Sequence, residues 1–295
     1  METALESGPP LAPRQPNRRR FAAYHRWDRN FYLTFLALCW FGVLMGFEPA
    51  VAKRLAGHAN YPAPLILEVH AMAFSAWLIL LTVQIALIRI QRPRLHMKLG
   101  LIGMALVPIM AVSAFFSEVY SQRFHFAHPP DSQAFFIIAI FYVVAFTSLA
   151  TAALTARANP PAHKRLILLA TTIIVGAAYT RWLGDPLYNA FGDGLGGMLI
   201  NTFAATDALL LGAVAYDWIT RRRLHSVYEI AIPAILFGEI ATTFIYRASS
   251  ASTSNPALPS PLSRPRKTPP PLCRWLKAHL SESRPASTNW LKRRA

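Results

Sequence analysis

Charge is scarce in this chain, and negative charge scarcer still. Only 15% of the 295 residues are Asp, Glu, Lys or Arg, and 14 of these are acidic against 30 basic. A soluble domain carries about a quarter charged residues. Too little polar surface is therefore available to cover a water-exposed globule, and the buried helices of a large soluble protein are excluded with it. Cysteine is nearly absent: Cys39 lies in an apolar run and Cys273 near the end. No disulfide framework or thiolate metal site can be built from two such residues.

What the chain has instead is long apolar runs. Hydrophobic residues make up 54%, and mean hydropathy is positive, +0.30. They cluster into seven stretches: Phe31–Phe47, Leu65–Ile88, Leu99–Ser117, Ala134–Ala156, Leu166–Leu183, Met198–Ile219 and Val227–Tyr246. Each is about 17 to 25 residues, the length of helix that crosses a hydrocarbon core of about 30 Å. The seventh is the weakest, because it holds Glu229 and Glu239. The expected fold is all-α, a polytopic transmembrane helical bundle of about seven helices. Its expected parts are a basic cytoplasmic arm (1–30), the seven-helix domain (31–246) and a tail (247–295).

The net charge of +16 resembles a nucleic-acid signal until it is located. Basic residues concentrate in the N-terminal arm (Arg14, Arg18, Arg19, Arg20, Arg26, Arg29) and in alternate loops. These loops hold Arg89, Arg92, Arg94 and Lys98, then Arg157, Lys164 and Arg165, then Arg221, Arg222 and Arg223. The intervening loops hold Lys53 and Arg54, then Arg123, then Arg181. By the positive-inside rule the N-terminus is cytoplasmic. The charge is topological and no nucleic-acid partner is expected. Membrane lipids are the expected partners, with anionic head groups at the cytoplasmic basic loops. "RRRF" before the first run, with "AVA" at 50–52 after it, has the look of a twin-arginine signal. Six further apolar runs make it a first membrane helix with a basic flank.

Residues 247–295 carry eight Pro, nine Ser, ten basic residues and one acid, with no apolar period. Such a segment is expected to be disordered. Three readings stay open for it: a tail translocated despite its charge, a seventh segment that does not span, or a shifted reading frame.

"RPRLHMKLG" (93–100 with its preceding turn), "PPAHKRLIL" (160–168) and "RRRLHSVYE" (221–229) each place a His at the start of a run. His96, His163 and His225 thus mark three tandem hairpins behind a single first helix. One such hairpin is too small to fold alone, so stacking into one bundle is expected. "EVHAMAFSAWLILLTVQIALIR", "LHMKLGLIGMAL", "HKRLILLAT", "TRWLGDP" and "AYDWITRRRLH" resemble an uncharacterised class of bacterial multi-pass inner-membrane proteins over residues 60 to 230. The resemblance implies a cell inner-membrane location and about seven helices, and no reaction.

Ionisable groups inside a bilayer are costly, about 2.5–3.5 kcal/mol each at the centre on insertion scales, and each calls for a reason. Glu68 and His70 sit two residues apart, about 200° around a helix and so on nearly opposite faces. Asp207 lies close to the middle of its run. Arg181 is near an outer helix end with Asp185 at i+4, and Glu118 closes the third run on that side. The expected site is therefore a polar cavity in the outer half of the bundle. It would draw on His70, Asp207, Arg181, Glu68, Glu118 and Asp185, take an unidentified small molecule or a proton, and need no cofactor. A structural Arg181–Asp207 ion pair is the alternative use of the same residues. His70, His96, His128 and His163 fall on or before the second to fifth runs, alternating outside and inside. This is similar to the two-haem ascorbate-reducible cytochrome b family, whose four consecutive helices supply two axial histidine pairs. The resemblance implies haem b on those four residues. The chain departs from that pattern at His96 and His163, which lie among basic residues at helix starts, and at His128, in "AHPPD". A membrane-embedded metal-dependent hydrolase is the third class, though no H-x-x-x-H or Ser-His pair defines it.

Overall fold

The computed structural model describes residues 21, 22, 24–59, 62–127 and 136–253. Those residues form seven helices and no strand: α1 (Asp28–Leu55), α2 (Leu65–Arg89), α3 (Pro93–Ala127), α4 (Phe136–Thr155), α5 (Pro160–Phe191), α6 (Leu195–Arg221) and α7 (Ser226–Thr253). All seven are long and apolar enough to cross a membrane. Residues 1–20, His128 and the tail beyond 253 lie outside the described part.

Several helices outrun their apolar stretches because the chain stays helical through the head-group zone. α3 starts at Pro93 and α5 at Pro160, six residues before each expected run. Proline suits a first helical position, where its missing N–H would be unpaired in any case. The Asn159 side chain caps α5 by accepting from the Ala162 N–H at 3.4 Å. The acids that weakened the seventh run are also accounted for: Glu229 lies exposed near the start of α7, and Glu239 is turned inward and buried.

α5 is the central strut. In its most apolar window 61% of residues are buried, against 22–28% in the other six helices. It packs against α1, α4 and α6, while α2 packs on α3. The approach of α1 is very close: a methyl group on Gly46 would lie 2.2 Å from the Ala178 carbonyl oxygen. Such small residues let membrane helices approach where lipid provides no hydrophobic drive. Interhelical hydrogen bonds add to the packing. Trp77 Nε1 donates to Thr171 Oγ1 (3.2 Å), Trp40 Nε1 to Thr82 Oγ1 (3.0 Å) and Tyr179 OH to the Leu38 carbonyl (2.9 Å).

The α5–α6 joint has a readable register. At one end Arg165 and Asp217 meet in a bidentate pair, Nε to Oδ2 at 2.6 Å and Nη2 to Oδ1 at 2.5 Å. Eleven residues on from Arg165 is Gly176, and eleven back from Asp217 is Thr206. These two are in contact, since a Gly176 methyl would stand 3.0 Å from Thr206 Oγ1. Four residues further, Thr180 Oγ1 donates to the Thr202 carbonyl at 2.9 Å. Eleven residues is about three helical turns, so one face of each antiparallel helix is followed over about 16 Å.

The ion pair belongs to a larger buried knot. Arg165 Nη1 also donates to the Pro161 carbonyl (2.7 Å). Arg221 reaches both Asp217 (3.3 Å) and Asp28 (2.9 Å). Lys164 Nζ and the Tyr216 hydroxyl also donate to Asp28, Lys164 at 2.6 Å. Phe21 lies under the guanidinium groups of Arg165, Arg221 and Arg223, at 4.5, 5.5 and 4.8 Å. Residues that read as topological charge, Lys164, Arg165 and Arg221, thus tie the start of α1 to α5 and α6. His225, between α6 and α7, completes this end. Its Nδ1 accepts from the Val227 N–H at 3.2 Å and its ring meets Phe21 edge-on at 4.7 Å. Burial, then the Arg165 charge, push its pKa below the ordinary histidine value.

Removing one partner of a buried pair leaves an uncompensated charge, which costs about 3–5 kcal/mol, whereas removing both is often close to neutral. Arg165→Leu should therefore sharply lower the thermal midpoint of the detergent-purified protein. Adding Asp217→Leu should recover most of that loss. A double variant as unstable as the single one would show that the pair is not the joint between α5 and α6.

Candidate functional site

Threonine hydroxyls within these helices mostly follow one rule. Thr147, Thr171, Thr172 and Thr243 each donate to the carbonyl four residues earlier. This is the local bond available to a hydroxyl without water. Thr206 breaks the rule. It is 1% exposed and its Oγ1 has no hydrogen-bond partner. The Tyr142 hydroxyl, from α4, is buried as well, within hydrogen-bonding reach of the Thr180 side chain. Both hydroxyls come to the same point of α5: a Gly176 methyl would lie 3.0 Å from Thr206 Oγ1 and 3.1 Å from Tyr142 OH. Glycine at 176 is what leaves room between them.

Beside these hydroxyls stand two acids. Asp207 of α6 and Glu239 of α7 lie close enough to share a hydrogen bond, and both are in electrostatic reach of Tyr142. Asp207 Oδ1 and Glu239 Oε1 are themselves buried without another partner. The Thr206 and Tyr142 hydroxyls thus meet at Gly176 of α5, with the acid pair of α6 and α7 in electrostatic reach of Tyr142. Both acids sit near the middle of their helices. Ionised carboxylates only accept hydrogen bonds, so a bond between the two requires that one of them carry the proton.

Asp207 makes no ion pair with Arg181 among the described residues. Arg181 lies at the bundle surface, where its Nη1 donates to the Ala177 carbonyl of its own helix (2.8 Å) and its guanidinium covers the Phe47 ring at 4.9 Å. Its acidic neighbour is Glu118, and His70 lies within its field. Glu118 accepts from Gln122 Nε2 at 2.6 Å. The His70 ring rests on Phe74, with centroids 4.2 Å apart, and its Nδ1 is buried without a partner. Glu68 and Asp185 are exposed at helix ends. The six residues singled out from the sequence therefore divide into an inner group around Asp207, a second around Arg181, Glu118 and His70, and two outliers. Tyr142, in the field of both Asp207 and Arg181, links the first two.

At the opposite end His96 and His163 come together with ring centroids 6.5 Å apart and planes at 86°. His163 Nδ1 is 2.7 Å from the Ala153 carbonyl, and His96 Nδ1 is buried without a partner. The third histidine of the repeat, His225, goes instead to the arginine knot. Among the described residues no cluster of three His, Cys, Asp or Glu is placed to hold a metal ion.

Glu239 and Tyr142 are the parts of the site that sequence reasoning missed. Glu239 was read as a blemish in the seventh run. The available signal was its depth, since an acid mid-run in α7 matches Asp207 mid-run in α6.

Fold and site together define a multi-pass membrane protein with seven membrane-crossing helices and an acid pair in its interior. No protein-family profile, curated protein or solved structure matches the chain. Its motif resemblances therefore stand on the motifs alone.

Neighbours couple and distant groups add. In a double-mutant cycle on thermal stability, Asp207→Asn with Glu239→Gln should depart from additivity by at least about 1 kcal/mol. Asp207→Asn with Arg181→Gln should add within about 0.5 kcal/mol. The reverse pattern would restore the Arg181–Asp207 ion pair and dissolve the carboxyl pair.

Proposed function

We propose that this is a proton-linked transport or sensing protein of a cell inner membrane, with the Asp207–Glu239 pair as its proton site. The observation that carries the reading is the pair itself: two acids with unpartnered oxygens, deep in a bundle whose other polar groups are mostly satisfied. Acid chains in membrane interiors mark proton and ion pathways. Tyr142 leads from the pair toward Arg181, Glu118 and His70, which form the outer mouth in this reading. The basic arm and the 89–98, 157–165 and 221–223 segments face the cytoplasm, where exposed Arg92, Arg94 and Lys98 meet anionic lipid heads. The small molecule moved or sensed with the proton enters from the outer side.

A second reading rests on His96 and His163. Their ring centroids stand 6.5 Å apart. A ligating histidine commonly holds its other nitrogen to a carbonyl, as His163 does to Ala153. These two residues would hold a haem b, which would supply one-electron transfer. A Soret band in the purified protein, lost in His163→Ala, distinguishes this reading from the first.

The proton site is tested by charge movement. Proteoliposomes on a solid-supported membrane, given a pH jump, should show a transient current that Glu239→Gln abolishes. That variant should remain folded, with stability within about 1 kcal/mol of the parent. Equal currents from parent and variant would remove the pair from the proton path.

A further inference from the structure

At the Arg165 end of the bundle a groove of about 480 Å³ opens between α3 and α4. Met104, Val107 and Pro108 form one wall, and Thr151, Leu154 and Thr155 the other. Its volume falls in the range, about 300–1,000 Å³, of sites that hold one small molecule. The walls are apolar but leave two polar groups unused. Pro108 has no N–H, so the carbonyl of Met104, four residues earlier, lacks its helical partner. Both ends of that gap line the groove. The Thr151 hydroxyl makes no hydrogen bond among the described residues, whereas Thr147, one turn earlier, bonds the Val143 carbonyl. Arg157, in the single tighter turn Ala156–Ala158, lines the groove where α4 ends. Its guanidinium is exposed and makes no ion pair among the described residues. It touches a weak acceptor instead, Met104 Sδ at 3.7 Å. A smaller groove between α1 and α2 differs on this point, because there the Arg29 carbonyl occupies Arg89 Nη1 at 2.5 Å.

We propose that this groove holds one anionic phospholipid, its phosphate on Arg157 and an acyl chain between α3 and α4. The inference stands on the membrane-spanning fold and is independent of the proton site. Charge complementarity selects the occupant. A guanidinium is a strong, bidentate partner for phosphate, and basic pockets between membrane helices at head-group level bind acidic lipid heads. Depth agrees. The apolar run of α3 starts at Leu99, and Met104 lies five residues further in, about 7.5 Å by helical rise. Arg157, in contact with Met104, therefore stands near the hydrocarbon boundary, where an unpaired cation is costly and a lipid phosphate relieves that cost. A head group with hydroxyls can also donate to the Met104 carbonyl. A second copy of the chain fits less well, since helix pairs in lipid close on small residues. This groove is rimmed by Met104, Pro108, Leu154 and Arg157. Exposed Arg92, Arg94 and Lys98 attract acidic lipid diffusely, whereas the groove gives one lipid a fixed place.

The test is native mass spectrometry of the full chain in detergent, titrated with phosphatidylglycerol or with phosphatidylcholine of the same acyl chains. One phosphatidylglycerol per chain should bind saturably and survive collision energies that strip phosphatidylcholine. Arg157→Gln should raise the half-saturating phosphatidylglycerol concentration about tenfold, the loss expected for a hydrogen bond to a charged group. Thr151→Trp keeps the cation and fills the groove, so it should abolish the retained lipid. Both residues are exposed, and either variant carries the test if the other fails to fold. Arg92→Gln, which removes surface charge alone, should change half-saturation by less than about twofold. Equal retention of the two lipids would overturn the anionic occupant. Retention unaltered in either folded groove variant would overturn the groove as its place. A loss in Arg92→Gln equal to that in Arg157→Gln would reduce the binding to diffuse surface attraction. A lipid-free dimer that Thr151→Trp dissociates would assign the groove to a second copy.

Discussion

Arg165 and Asp217 meet where neither can meet water, and the position of nearly every other polar group follows from that contact. A charge so placed is tolerable only with its counterpart in good geometry, and the bidentate bond allows little sliding between α5 and α6. Three turns away, the register it sets brings Gly176 opposite Thr206; four residues beyond, Thr180 meets the Thr202 carbonyl. The acid at 207 is carried to the bundle interior by the same alignment. Asp28 and Arg221 extend the contact to α1, so the start of the chain's first helix is held to the same frame. One end of the bundle is thereby tied by charge.

The pair of acids at mid-helix, away from those charges, underlies the functional reading. At the Arg165 end, Asp28 and Asp217 each face basic partners, and Phe21 lies against three of the guanidinium groups. In the middle, two acids of like sign face each other, and the buried Thr206 hydroxyl, on the residue before Asp207, has no partner. Structural polar groups in membranes are paired, either with a carbonyl one turn back or across a helix joint, as Trp77–Thr171 and Trp40–Thr82 are. Groups left unpaired at that depth destabilise the fold unless something binds there. A proton is the ligand whose chemistry fits.

The sequence was most legible where bilayer thickness acts directly. Apolar run length found all seven helices, because only a helix satisfies its own backbone in lipid. It placed their ends less well, since α3 and α5 continue through Pro93–Lys98 and Pro160–Arg165, where hydropathy falls but helical hydrogen bonding persists. Asp207 was legible as a mid-helix acid from its depth alone. Its partner was not, because Arg181 was matched to it by opposite charge, and charge says nothing of which faces meet. Asp217 and Asp28 were not singled out, although "AYDWITR" sets the acid one turn from Arg221. The buried knot could not be read from composition, because a basic loop that sets topology and one that closes an ion pair look the same in one dimension.

The central claim is that Asp207 and Glu239 share a proton inside the folded protein at neutral pH. Infrared spectroscopy of the purified protein, with hydrogen–deuterium exchange to assign bands, tests it most directly. The account predicts a carbonyl stretch from a protonated carboxyl group in a dry environment. That band should vanish in Asp207→Asn and in Glu239→Gln and persist in Arg181→Gln. A spectrum without any protonated carboxyl band at neutral pH, or a band untouched by either acid substitution, would contradict it.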